Sequence, residues 1–276
     1  VTTLVDGLFD DAALFPPGNV PMAAAVPAHR ELRARLGELV GPFVVPAARL
    51  GELVAHVGDG EPLGVSVIAA AGDLPPAAAR VAASPGLTLT AVETPVVADA
   101  PAAHGAVRAL DEVLPASVPA AVEIPRSAAR DEVLDVLAGT RYRAKLRTGG
   151  LRAHLFPSPE ELAATLSACV ARGVAVKCTA GLHGAVRHTD PATGLEHHGF
   201  LNVLAACAAL AAGEPATAAE RWLREDDAGT LAGGWSPDRV ACARAVFTSF
   251  GTCSVLEPVE DLVRSGLLPF PDRTPA

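Results

Sequence analysis

Lys145 and Lys177 are the only lysines among 22 basic residues; the rest are arginine. Glutamine is absent and asparagine occurs only at Asn19 and Asn202. In so arginine-biased a chain, a retained lysine is a candidate for chemistry closed to guanidinium, such as nucleophilic attack or proton abstraction by a neutral amine. Each lysine lies in a short apolar run that reads as a strand. Side chains alternate along a strand, so Ala144 and Leu146 send Lys145 and Arg147 to the opposite face. In the same way Val174, Val176 and Cys178 oppose Lys177 and Thr179. Glu93 opposes Val92, and Glu123 opposes Val122 and Ile124. Four successive strands thus bring Glu93, Glu123, Lys145 with Arg147, and Lys177 to one rim. Charges at such a place are costly unless paired or used. The leading expectation is a lyase or aldolase in which Lys177 is Schiff-base nucleophile or base. Its pKa, ordinarily about 10.4, would be lowered by Lys145, Arg147 and partial burial. Glu93 or Glu123 would then shuttle protons for a small anionic or carbonyl-bearing metabolite.

Both lysine strands run into small residues, Thr148-Gly149-Gly150 and Thr179-Ala180-Gly181. Such turns let backbone N–H groups approach an anion, with Arg147 beside them, or they are ordinary strand-to-helix turns. His183, His188, His197 and His198 lie within 16 residues, followed by Asn202. Imidazoles serve as acid–base groups or metal ligands. His183 is therefore a candidate for proton transfer, and His198 and Asn202 for substrate contact. The expectation is that no cofactor is needed. The alternative is a metal-dependent hydrolase or isomerase holding a divalent ion with His183, His188 and His198. A third reading is a non-catalytic small-anion binder. Asp10 and Asp11, in a proline-locked segment ending at Asn19, cap one end of a barrel or reach the site; Asp11 is the candidate taken. Ser254, in the last strand's Gly251-Thr-Cys-Ser254, occupies a place where many barrels bind phosphate.

The elements that must position these residues alternate. Strands are expected at 43–46, 63–70, 87–93, 120–124, 142–147, 174–178 and 249–254, with helices between them. Residues 199–203 read either as a short seventh strand or as the start of a helix. This alternation predicts one α/β domain over 1–276, a TIM-like (β/α)8 barrel with residues 1–42 as an N-terminal extension. The alternative is an open, doubly wound parallel sheet; the absence of G-x-G-x-x-G after the first strand counts against its dinucleotide-binding form.

Composition narrows the partners. Half of the residues are apolar and the net charge is −9, with no basic run to meet nucleic acid. The longest apolar helical run falls well short of the ~20 residues that span a bilayer. No basic and apolar leader is visible in the first residues. Five scattered cysteines without a C-x-x-C pair read as reduced thiols of a cytoplasmic protein. The expected partner is a small-molecule substrate, with no nucleic acid and no membrane; a homo-oligomer is left open.

Taken together, the segments 8–17, 144–150, 176–183, 198–202 and 249–254 resemble a widespread family of uncharacterised bacterial proteins. That resemblance covers nearly the whole chain and implies no activity. Many relatives would carry a second histidine where Gly184 stands. Lys177-Cys-Thr-Ala-Gly181 is also similar to class I aldolases of the deoxyribose-phosphate type. That likeness implies a Schiff base on Lys177 tuned by Lys145. The order of the two lysine segments is reversed here, and no matching catalytic aspartate is evident.

Overall fold

The computed structural model describes residues 2–58 and 60–269; residue 59 and both ends of the expected 1–276 domain lie outside them. Eight parallel strands close into a barrel: β1 (Phe9–Asp11), β2 (Val40–Pro46), β3 (Leu63–Ile68), β4 (Leu87–Thr94), β5 (Ala120–Glu123), β6 (Arg143–Arg147), β7 (Val176–Thr179) and β10 (Phe247–Thr252). Two two-residue strands, β8 (His188–Thr189) and β9 (Glu196–His197), form a separate antiparallel hairpin. Closure excludes the open doubly wound sheet and bears out the (β/α)8 reading.

One element differs from expectation, and one open alternative is decided. The first strand lies inside the supposed extension, so that stretch contributes residues 9–11 and 40–42 to the barrel sheet. β1 is only three residues long and holds two adjacent aspartates, a composition without strand propensity. Its place is set by its neighbours. It pairs with both β10 and β2, and Phe250 N–H donates to the Leu8 carbonyl at 2.8 Å. Phe9 points outward, with its ring 5.4 Å from Phe250 and 5.6 Å from Phe200. The helix Met22–Leu36 then serves as the first crossover back to β2.

Residues 199–203 are not a strand. Gly199 is extended and precedes the helix Phe200–Ala211, buried throughout residues 200–210. The seventh and eighth strands are therefore β7 and β10, separated by the hairpin and several helices.

Asn202 explains how so apolar a helix is anchored. Its Oδ1 accepts from Arg187 N–H at 2.8 Å, and its Nδ2 donates to the Trp222 and Glu225 carbonyls at 2.7 Å each. The side chain is fully enclosed. It fastens the histidine loop and the end of the helix Ala216–Arg224 to the buried helix, and it does not face the barrel interior. Asn202→Ala would strand three backbone groups away from water, so a loss of about 3 kcal/mol is expected in urea unfolding. A change below about 0.5 kcal/mol would contradict this anchoring role.

Candidate functional site

A (β/α)8 interior is ordinarily filled by branched apolar side chains. Here the middle of the barrel is ionic. Register places Glu123 beside Lys145, Lys145 beside Lys177, and Lys177 beside Ser249 on adjacent strands. Parity turns all four inward, where Asp10 of β1, Ser66 of β3 and Glu93 of β4 join them. Lys177 Nζ lies 2.5 Å from Asp10 Oδ2 and 2.5 Å from Glu93 Oε1. Lys145 Nζ lies 2.8 Å from Glu93 Oε2 and 3.2 Å from Glu123 Oε2. Arg147 Nε reaches Glu123 Oε1 at 3.2 Å. Ser66 donates to Glu93 Oε1 at 2.9 Å and Ser249 to Asp10 Oδ2 at 3.0 Å. Three cations thus face three carboxylates, and Glu93 is shared by both lysines.

The expected quartet of Glu93, Glu123, Lys145 and Lys177 is therefore brought together. Its setting differs from the carboxyl-terminal rim foreseen. Both lysines are at most 4% exposed, and only Arg147 reaches toward solvent at the strand ends. A cavity of about 420 Å³ touches Asp10, Glu93, Lys177 and Ser249, and its other walls include Asp6, Arg143 and Arg244. Arg143 opens β6 and Asp6 precedes β1, so the cavity lies at the end of the barrel where strands begin.

The electrostatics follow from burial opposed by pairing. Burial alone would raise the Glu93 carboxyl, but the ammonium groups of Lys177 and Lys145 outweigh it and hold the pKa far below the carboxylate range. Burial would likewise lower Lys177, yet Asp10 and Glu93 push it above the ordinary lysine value. Asp10 goes the other way: burial raises its carboxyl and Lys177 only partly offsets this. Lys177 is thus an ammonium at rest. The expectation that Lys145, Arg147 and burial free its amine is corrected by the two carboxylates beside it.

Asp10 is the site residue that sequence reasoning passed over in favour of Asp11. In a strand, adjacent aspartates point to opposite sides. Asp11 turns outward to His29 Nδ1 at 2.9 Å and accepts from Ala13 N–H. Gly41 is a further signal. A Cβ there would come within 2.1 Å of Asp10 Oδ1, so glycine lets the carboxylate lie against β2. Ser66 and Ser249 carried no signal in the sequence.

The remaining candidates lie elsewhere. Thr148 donates to the Thr179 and Ala180 carbonyls, and a Cβ on Gly149 would meet the Gly181 Cα at 2.7 Å. The Thr148-Gly149-Gly150 and Thr179-Gly181 turns therefore pack on each other, and their glycines permit that contact. His183 Nδ1 bonds Glu257 at 3.0 Å with Cys253 Sγ at 3.8 Å, near half-buried Ser254. The His188 and His197 rings stack at 5.3 Å. Buried His198 instead bonds the Pro157 carbonyl at 2.8 Å, apart from His183 and His188. Among the described residues no group of three or more His, Cys, Asp or Glu side chains is placed to hold a metal ion. No helix among them is long and apolar enough to cross a membrane.

Comparison with family models, curated proteins and solved structures found no match.

Glu93 carries the linkage between pH and stability. Its folded pKa is depressed, so its contribution is present above the ordinary value of 4.5 and lost as pH falls below it. Lys177, raised in the fold, contributes below the ordinary value of 10.5 and loses that contribution only in stronger alkali. Glu93→Gln removes a buried partner from two ammonium groups and is expected to cost about 3–5 kcal/mol at pH 7. The gap between wild type and variant should narrow in urea titrations taken from pH 5 to pH 3. A gap independent of pH would place the stabilisation elsewhere.

Proposed function

We propose that this chain is an enzyme, a lyase of aldolase type acting on a small carbonyl-bearing anion, with Lys177 as its nucleophile. The observation that carries the reading is the pairing of Lys177 with Asp10 and Glu93 on the wall of a cavity. An ammonium cannot attack a carbonyl, so the amine must first be unmasked. Asp10 is the suitable acceptor: it bonds Nζ, and burial gives its carboxyl an unusual affinity for a proton. Glu93 is unsuited, because Lys145 and Lys177 keep it ionised.

The chemistry then balances. Lys177 passes one proton to Asp10 and its free amine adds to the substrate carbonyl carbon. The carbinolamine hydroxyl takes the proton back from Asp10 and leaves as water, giving an iminium cation between two carboxylates. The substrate's Cα–Cβ bond then breaks: its electrons flow into that cation while the β-hydroxyl gives its proton to Asp10, a carboxylate again. An aldehyde leaves and an enamine remains on Lys177, to be protonated at carbon by Asp10 and hydrolysed by water. Lys145 holds Glu93 in place throughout. The positive iminium replaces the positive ammonium, so the buried charge balance is unchanged.

The metal-dependent alternative is not favoured by the geometry: no three possible ligands are placed together among the described residues, and His198 bonds the Pro157 carbonyl. The anion-binding alternative is compatible with the same cavity and differs in predicting no covalent adduct. All five cysteines are free, which fits the reducing cytoplasm as the place of action.

Borohydride treatment with a panel of pyruvate, glyoxylate, acetaldehyde and glyceraldehyde 3-phosphate tests the reading. A reduced adduct on Lys177, located by peptide mass, is the expected result for at least one compound. Lys177→Arg should abolish it, and Asp10→Asn should slow trapping on the order of a hundredfold at neutral pH. Absence of any adduct on Lys177 across the panel would remove the lyase reading, and an adduct on Lys145 would transfer the nucleophile to that residue.

A further inference from the structure

We infer that the amino-terminal mouth of the barrel is a binding site for a small oxyanion, a carboxylate or phosphate group held by Arg143 and Arg244. Arg143 is the first residue of β6 and turns inward with Lys145 and Arg147. Arg244 comes from the last turn of the helix Pro237–Val246. Both line the cavity that reaches Lys177.

Neither guanidinium forms an ion pair among the described residues, although Asp10 lies close enough to attract both and Asp6 to attract Arg244. Arg143 forms no ion pair or side-chain hydrogen bond there, in contrast to Arg147 of the same strand, which holds Glu123. Arg244 gives Nη2 to the Asp6 backbone carbonyl at 2.9 Å, and its Nη1 is enclosed without any partner. Burial of each guanidinium is the main cost, and the two are close enough to repel. Half-buried like charges of this kind are unfavourable unless a partner of opposite sign completes them.

The carboxylates facing the same space do not supply that partner. Asp10 and Glu93 are bound to Lys177, and Glu93 also to Lys145. Asp6 lies near Arg244 but forms no ion pair with it, and its own Oδ1 is enclosed without a donor. One carboxylate and two guanidiniums without ion pairs therefore share this space, leaving room for one anionic group. Arginine forks suit such a group because carboxylate and phosphate oxygens accept two parallel N–H bonds. A volume of about 420 Å³ suits a metabolite of modest size. The anion would sit between the arginines and the rest of the molecule would extend toward Lys177. That the ligand is a substrate rests on the Lys177 reading; its anionic end does not.

Calorimetric titration with inorganic phosphate and, separately, malonate at constant ionic strength distinguishes the two anion classes. Saturable binding of at least one is expected, weakened at least tenfold in Arg143→Gln and in Arg244→Gln. Because Arg143 makes no ion pair or side-chain hydrogen bond, unliganded Arg143→Gln should melt no lower than wild type, whereas Arg244→Gln also loses the bond to the Asp6 carbonyl. If either variant fails to fold, modification of wild type by phenylglyoxal decides: protection of Arg143 and Arg244 by the bound anion supports the site, and absence of protection overturns it. Failure of both probes to bind, or binding unchanged by both substitutions, also overturns it, whether or not Lys177 forms an adduct. Binding through these arginines without any borohydride adduct leaves the anion site standing and removes only the Lys177 chemistry.

Discussion

Glu93 sits between two ammonium groups, and neither lysine can withdraw without stranding a charge inside the barrel. One carboxylate oxygen meets Lys177 and Ser66, and the other meets Lys145. Each ion placed there carries a desolvation penalty of several kcal/mol, repaid only when every partner is in position. The same condition extends outward through Asp10 to Ser249 and through Glu123 to Arg147. Seven strands thereby contribute to a single charge-balanced layer. An apolar layer would be a simpler way to stabilise a barrel. A layer of paired lysines and carboxylates costs more, and it holds proton donors and acceptors at fixed distances in a low dielectric.

The three carboxylates are not equivalent, because their surroundings differ. Glu93 has two cations and is strongly acidic, whereas Asp10 has one and is governed by burial. Groups held close together with proton affinities pushed apart are the arrangement that assigns acid and base roles. The short β1 matters for this reason. It contributes little to the sheet, yet it delivers Asp10 inward and Asp11 outward. Asp11 then fixes His29 on the covering helix, so one dipeptide ties the interior layer to the helical shell.

The two ends of the barrel are built differently. At the carboxyl-terminal end the Thr148-Gly149-Gly150 and Thr179-Gly181 turns pack on each other, and the histidine loop folds over through its hairpin and Asn202. At the amino-terminal end the cavity reaches the ionic layer, and two arginines that form no ion pair among the described residues face it. Polar residues in the loop that look chemical in the sequence are largely consumed by backbone groups there, as with His198 and the Pro157 carbonyl.

The alternation of short apolar runs with helices was enough to determine an α/β domain with a parallel sheet and to favour the barrel, since each run must bury one face against its neighbours and the other against helices. Parity within those runs also determined that Glu93, Glu123, Lys145 and Lys177 point the same way. Tertiary structure alone decided where the barrel closes. A three-residue strand rich in aspartate has no local signature, and β1 exists because β2 and β10 offer it hydrogen bonds while Phe200 and Phe250 cover Phe9. Tertiary structure also decided the protonation of Lys177. From sequence Glu93 shares the rim only as a proton shuttle, and Lys145 and Arg147 are expected to lower the pKa of Lys177; the direct contacts that raise it are with carboxylates on strands 84 and 167 residues away. Local spacing encodes which side of a strand a residue faces, but the sign of the field it meets depends on chain segments that only folding brings together.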